Sequence, residues 1–200
     1  MSAGTIPLAH GAASEDWVLP YHGTVAMLAL IVAETAIFTI FVVAYVYYIG
    51  KSISGPTPRQ VLELPIFNTI CLLSSSLTIM IAERALKRSA LGAFSLWWAL
   101  TAILGSIFLG GTALEWKKLI YHDGLTISTN LFGTTFNSLV GLHASHVIIG
   151  LTMLLIVLIF ALTGKLKGEH FKQVEVLALY WHFVDAVWVV VFTVVYVIGR

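Results

Sequence analysis

Five stretches of this chain run for roughly 20 residues each with almost no charge, about the length of helix that crosses a bilayer core of about 30 Å. They extend over Thr24–Ile49, Ile66–Ala82, Gly92–Leu114, Phe136–Thr163 and Val174–Ile198. Each is too long for a strand and none alternates strictly between apolar and polar, so a β-barrel is excluded. Proline breaks a helix interior, and Pro7, Pro20, Pro56, Pro58 and Pro65 all lie outside the five runs. Composition agrees: 10% of the 200 residues are charged, against about 25% in a soluble domain, and the mean hydropathy is +0.93. The sequence predicts an all-α membrane protein, a bundle of five transmembrane helices spanning residues 24–199. Residues 1–23 form a segment outside the bilayer core. Glu15, Asp16 and Pro20 leave that segment without the apolar core of a cleavable signal peptide.

A net charge of +1 gives no footprint for nucleic acid. The single cysteine, Cys71, has no internal partner for a disulfide. No internal repeat and no linker divides the chain. An odd number of spans puts the termini on opposite sides. Arg84, Lys87, Arg88, Lys165, Lys167 and Lys172 fall on the N-terminal side, and Lys51, Arg59, Lys117, Lys118 and Arg200 on the other. The tight cationic turn Arg84–Arg88 decides the matter under the positive-inside rule. The N-terminus is expected in the cytoplasm and the C-terminus outside.

Small residues suggest where helices meet. Ala102, Ser106 and Gly110 recur every four residues and are expected to form a small-residue ridge. Cys71, Ser74, Ser75 and Thr78 share a face of the second span and are expected to make ordinary helix contacts. Trp181, Trp188, Phe192 and Tyr196 form one stripe of the last span, which is expected to face lipid or another subunit.

Ionisable groups in hydrocarbon are costly and mark functional sites. Five require an account: Glu34, His143, His146, His182 and Asp185. At about 1.5 Å per residue, Glu34, His146 and Asp185 each lie roughly 15 Å into the bilayer, near its midplane. His143 with His146, and His182 with Asp185, are spaced to share a helical face. The five are therefore expected to form one buried network, with Glu34 meeting His146. A satisfied hydrogen-bonded core is the first reading of such a network, and a proton relay the second. Haem ligation by paired imidazoles ranks below both, because Trp181 and Phe183 crowd the site. A copper or zinc site ranks last, since neither histidine group comes with a third or fourth soft ligand.

The segment Tyr180-Trp181-His182-Phe183-Val184-Asp185-Ala186-Val187-Trp188 resembles the last-helix motif of subunit III of haem-copper terminal oxidases. Gly141-Leu142-His143-Ala144-Ser145-His146-Val147 is similar to the same family's Gly-Phe-His-Gly-x-His-Val segment, with Leu142 and Ala144 as departures. Phe108-Leu109-Gly110, Glu115, Tyr121-His122-Asp123-Gly124 and Phe132-Gly133-Thr134-Thr135-Phe136 resemble the family's connection between its third and fourth helices, and Glu34 looks like its intramembrane glutamate. The likeness covers the chain from about Leu28 to Gly199, in the five-helix form that lacks the first two helices of the seven-helix form.

That resemblance implies a subunit without haem, copper or other cofactor of its own and without a catalytic centre. It would pack against subunit I, with subunit II and membrane lipids as further neighbours, in the plasma membrane of a bacterium. There it would support proton uptake and protect the active site while the complex, of the cytochrome c oxidase aa3 type or a quinol oxidase, reduces dioxygen and pumps protons. Glu34, His143, His146, His182 and Asp185 would be a supporting network. A small proton-coupled transporter is the alternative from another class. Against it, the spans lack the inverted repeat and broken helix pair that many transporters carry.

Overall fold

A computed structural model describes residues 21–52, 55–167 and 170–199. The expectations for residues 1–20 and the placement of Arg200 lie outside the described residues. The helices are α1 (His22–Tyr48), the single turn α2 (Pro58–Val61), α3 (Ile66–Lys87), α4 (Leu91–Tyr121), α5 (Leu131–Leu162) and α6 (Phe171–Phe192). The last turns, Thr193–Ile198, continue α6 as π-helix. Five of these helices are long and apolar enough to cross a membrane, α6 together with its π-helical turns counting as one. Among the described residues there is no strand.

The helices outrun the apolar windows. α3 continues to Lys87, and α4 and α5 extend beyond Leu114 and before Phe136. An apolar window measures the thickness of hydrocarbon, whereas helical hydrogen bonding can continue past it. Arg84 and Lys87, expected in a loop, therefore stand in the last turn of α3, where cations complement the helix dipole. α3 then ends in a Schellman motif: the Ala90 N–H donates to the Ala85 carbonyl at 3.0 Å and the Ser89 N–H to Leu86 at 2.9 Å. Ser89 takes the left-handed conformation that this motif needs, with φ 56°. α5 ends in the same way, but with Gly164 in the left-handed position.

α3, α4, α5 and α6 pack in a ring, each against the next and α6 back against α3, while α1 lies against α5 and α6. Of α1 only Phe38 and Tyr45 are buried. Leucine, isoleucine and valine side chains cover much of the exterior, the surface a chain presents when its solvent is lipid.

The interior is aromatic. Trp98, Trp181, Trp188, Tyr196, Phe94, Phe108 and Phe136 are all fully buried. The stripe expected to face lipid or a subunit thus points inward: Trp181, Trp188 and Tyr196 are 1%, 1% and 2% exposed, with Phe192 half-buried beside them. The cause is polar. An indole N–H or phenol O–H facing hydrocarbon would go unpaired, and inside the ring each finds an acceptor. Trp181 donates to Ser75 Oγ at 2.8 Å, Trp188 to Thr69 Oγ1 at 3.2 Å and Tyr196 to Glu115 at 2.9 Å.

The small-residue ridge is also corrected. Ala102 is buried, but Ser106 and Gly110 are exposed, and a Cβ added at Gly110 would meet nothing within 4 Å. The close approaches occur at Gly105 of α4 and Gly150 of α5, which admit the Trp181 indole between them; a Cβ there would lie 2.8 and 2.9 Å from ring atoms. The contact face of α4 runs through Thr101, Ala102, Gly105, Phe108 and Thr112, one turn-step round from the expected ridge. On α3, Cys71, Ser75 and Thr78 are buried as helix contacts, with Ser74 half-buried and Thr78 hydrogen-bonded to Thr101 of α4 at 2.7 Å.

Candidate functional site

The five intramembrane ionisable residues resolve into a pair, a lone histidine and a second pair bridged by a serine. The pair joins α1 to α5: Glu34 Oε2 lies 3.1 Å from His146 Nε2. Nδ1 of the same imidazole lies 2.8 Å from the Leu142 carbonyl, one turn earlier on α5. A carbonyl can only accept, so Nδ1 carries a proton. The Nε2–Oε2 contact then holds one proton, either on the carboxyl of a neutral pair or on the imidazole of an ion pair. The side chains are 21% and 10% exposed for Glu34 and His146, on the outermost helix and at its border.

His143, one turn before, does not join them. Its ring is fully buried, and among the described residues neither nitrogen has a hydrogen-bond partner. It stacks on Trp188 with centroids 5.0 Å apart, and Phe108 and Phe38 meet it edge-on. Phe38 also tilts against His146 at 5.0 Å. Phe38 thus touches both histidines of α5.

On α6, His182 and Asp185 do share a face, and the structure adds a residue that the sequence reading passed over. Ser76 of α3 donates a short hydrogen bond to Asp185 Oδ2. Its Oγ lies 3.1 Å from His182 Nδ1. A serine hydroxyl has one proton; having given it to the carboxylate, Oγ accepts from Nδ1–H. The cluster is thus a directed chain, His182 to Ser76 to Asp185. Asp185 Oδ1 is buried without a partner among the described residues. The available signal for Ser76 was its place beside Ser75 in a run of three serines, facing two polar groups three residues apart.

Nearer the end of the bundle, Tyr196 donates to Glu115, and Lys118 bridges α4 to Glu63 at 2.5 Å. Among the described residues no three His, Cys, Asp or Glu side chains converge as a metal site would require.

Fold and site together define a multi-pass membrane protein, with five helices among the described residues able to span the bilayer, whose polar groups bind helix to helix and include the Glu34–His146 pair at the border of the bundle. The family described as cytochrome c oxidase subunit III matches residues 22–200. The chain belongs to that family, and so to the subunits III of haem-copper oxidases. It is 36% identical to a cytochrome c oxidase subunit 3 of Alkalihalophilus pseudofirmus, over 83% of this chain and 82% of the relative. To the protein of that name from Bacillus sp. (strain PS3) it is 35% identical, over 83% and 81%. To a cytochrome bo(3) ubiquinol oxidase subunit 3 of Pseudomonas aeruginosa it is 32% identical, over 84% and 81%.

Proposed function

We propose that this chain is the non-redox subunit III of a bacterial respiratory oxidase of the cytochrome c type, packing on subunit I and supporting proton uptake and active-site stability during dioxygen reduction. The observation that carries the reading is the Glu34–His146 pair. It holds one proton on the border of the bundle, where the Glu34 side chain is 21% exposed and open toward a neighbouring subunit that can bring water to it. The imidazole cannot hand the proton onward, because Nδ1 is committed to a backbone carbonyl. A proton therefore enters and leaves through Glu34. The arrangement suits a local proton store beside a pathway in another subunit, rather than a wire through this one.

Haem and copper would reside in the partner subunits, with none in this chain, which would sit in the plasma membrane with its N-terminus on the cytoplasmic side. Quinol as electron donor is the second reading, supported by the similarity to the Pseudomonas aeruginosa ubiquinol oxidase subunit and to a probable quinol oxidase subunit 3 of Staphylococcus saprophyticus.

Mild-detergent purification through a tag on this chain tests the proposal. A haem-containing partner should co-purify, and the complex should oxidise reduced cytochrome c faster than a quinol. Isolation of the chain free of haem partners would overturn the subunit reading, and preference for quinol would exchange the donor. A stoichiometric haem band from the chain expressed alone would overturn its non-redox character.

A further inference from the structure

His182 presents an unused nitrogen to the outside of the bundle. Its Nδ1 is engaged by Ser76, whereas Nε2 has no hydrogen-bond partner among the described residues and is not enclosed. The residue is half-buried in the seam between α3 and α6. It stands eleven residues into α6, and Ser76 ten residues into α3, so both lie about 15–16 Å along helices that span the membrane. Around them the outer face of the seam is apolar: Leu73, Leu77 and Met80 on α3, Ala186 and Val189 on α6, all exposed. The side chain is thus a polar island in a hydrocarbon-facing surface.

At that depth lipid chains offer nothing to an imidazole nitrogen, and headgroups do not reach it. A polar atom facing hydrocarbon is tolerated where another protein segment covers it. With Nδ1 carrying the proton, Nε2 is an acceptor, so the covering segment must bring a donor. We propose that the α3–α6 face centred on His182 is the docking surface for a transmembrane helix of another oxidase subunit, and that this helix places a hydroxyl, amide or indole donor against His182 Nε2. The Ser76–Asp185 hydrogen bond ties α3 to α6 beside His182, and the exposed Lys87–Glu175 ion pair, 3.0 Å, spans the same seam at its charged end.

The inference rests on the proposed membership of an assembled oxidase, and its test separates the two. In the intact complex, the photoreactive residue p-benzoylphenylalanine is placed at Leu77 or at Val189, and at Ile103 on α4 as a reference for background lipid adducts. Irradiation should join the Leu77 and Val189 positions to a different subunit of the complex. Adducts to lipid only, or to a second copy of this chain, would overturn the proposal. Ala186→Trp gives a second readout: the site is exposed, so the chain itself keeps its packing, but the bulky ring obstructs a docking helix. Recovery of haem-containing partners with this variant should fall at least several-fold, and His182→Leu should lower it roughly threefold, the weight of one average intramembrane hydrogen bond. Unchanged recovery for Ala186→Trp would count against the surface. A wild-type chain that brings down no haem partner at all would instead defeat the parent reading.

Discussion

Glu34 and His146 meet across the α1–α5 interface at 3.1 Å with one proton between them, and this contact ties the outermost helix to the ring. Glu34→Gln keeps a donor for Nε2 and should leave the fold and dioxygen reduction intact. It removes the exchangeable carboxyl proton, so sustained turnover should shorten or proton delivery slow. Glu34→Ala deletes the contact, and α1 should loosen by about 0.6 kcal/mol, the mean for such bonds in one measured membrane protein. Thermal inactivation of the purified complex, read beside initial rates, separates the two variants. Equal initial rates with equal working lifetimes in both variants would remove the functional role.

The two tight glycines make an opposite pair of predictions with Gly110. Alanine at Gly105 or Gly150 drives a methyl group into the Trp181 ring from either side, and overpacking of this kind costs about 1–3 kcal/mol. Gly110→Ala meets open space and gains helix propensity, so it should be neutral or stabilising. Thermal denaturation of the three variants in one detergent checks the order.

These corrections show what the sequence could and could not disclose. The five spans were legible because the bilayer dictates length and apolarity residue by residue. The meeting of Glu34 with His146 was legible because two costly groups at one depth have few other ways to be satisfied. The facing of α6 was not. Lipid and protein interior are equally apolar, so a tryptophan stripe carries no label for inside or outside until the acceptors Ser75 and Thr69 are seen opposite it. The single network was overread for a related reason: depth placed the five groups at one level but does not say which side chains face one another, and His143 packs among Phe38, Phe108 and Trp188 with neither nitrogen bonded among the described residues.

Ser89 occupies a left-handed position at the end of α3 that Gly164 fills at the end of α5. A side chain there costs about 1–2 kcal/mol relative to the right-handed form. Ser89→Gly should therefore stabilise the α3–α4 turn by about 1 kcal/mol, whereas Ser89→Val should destabilise it. Denaturant or thermal midpoints of the purified chain report both.

The same turn tests the orientation. With the buried Cys71 replaced, Ser89→Cys should resist an impermeant thiol reagent in intact cells and react in inverted vesicles, because the cations Arg84, Lys87 and Arg88 beside it favour the cytoplasmic side. Labelling from outside the cell would reverse the topology.

Ser76 supplies the last prediction, because two residues of α6 depend on it. Ser76→Ala takes away the donor of Asp185 Oδ2, and Oδ1 is already buried without a partner among the described residues. The carboxylate would then be enclosed with neither oxygen bonded, a loss that costs about 1–3 kcal/mol and more for a charged group. The acceptor of His182 Nδ1–H goes with it. Ser75→Ala, one residue away, removes the acceptor of the Trp181 indole but leaves no buried carboxylate without a partner, so it should be the milder change. Ser76→Thr retains the hydroxyl and should restore much of the stability lost in Ser76→Ala, and Asp185→Asn combined with Ser76→Ala should recover part of it by removing the buried charge. The four variants, compared by thermal unfolding in the same detergent, distinguish a polar clamp between α3 and α6 from mere filling of space. If space alone mattered, Ser75→Ala and Ser76→Ala would be equivalent and the Asp185→Asn background would make no difference.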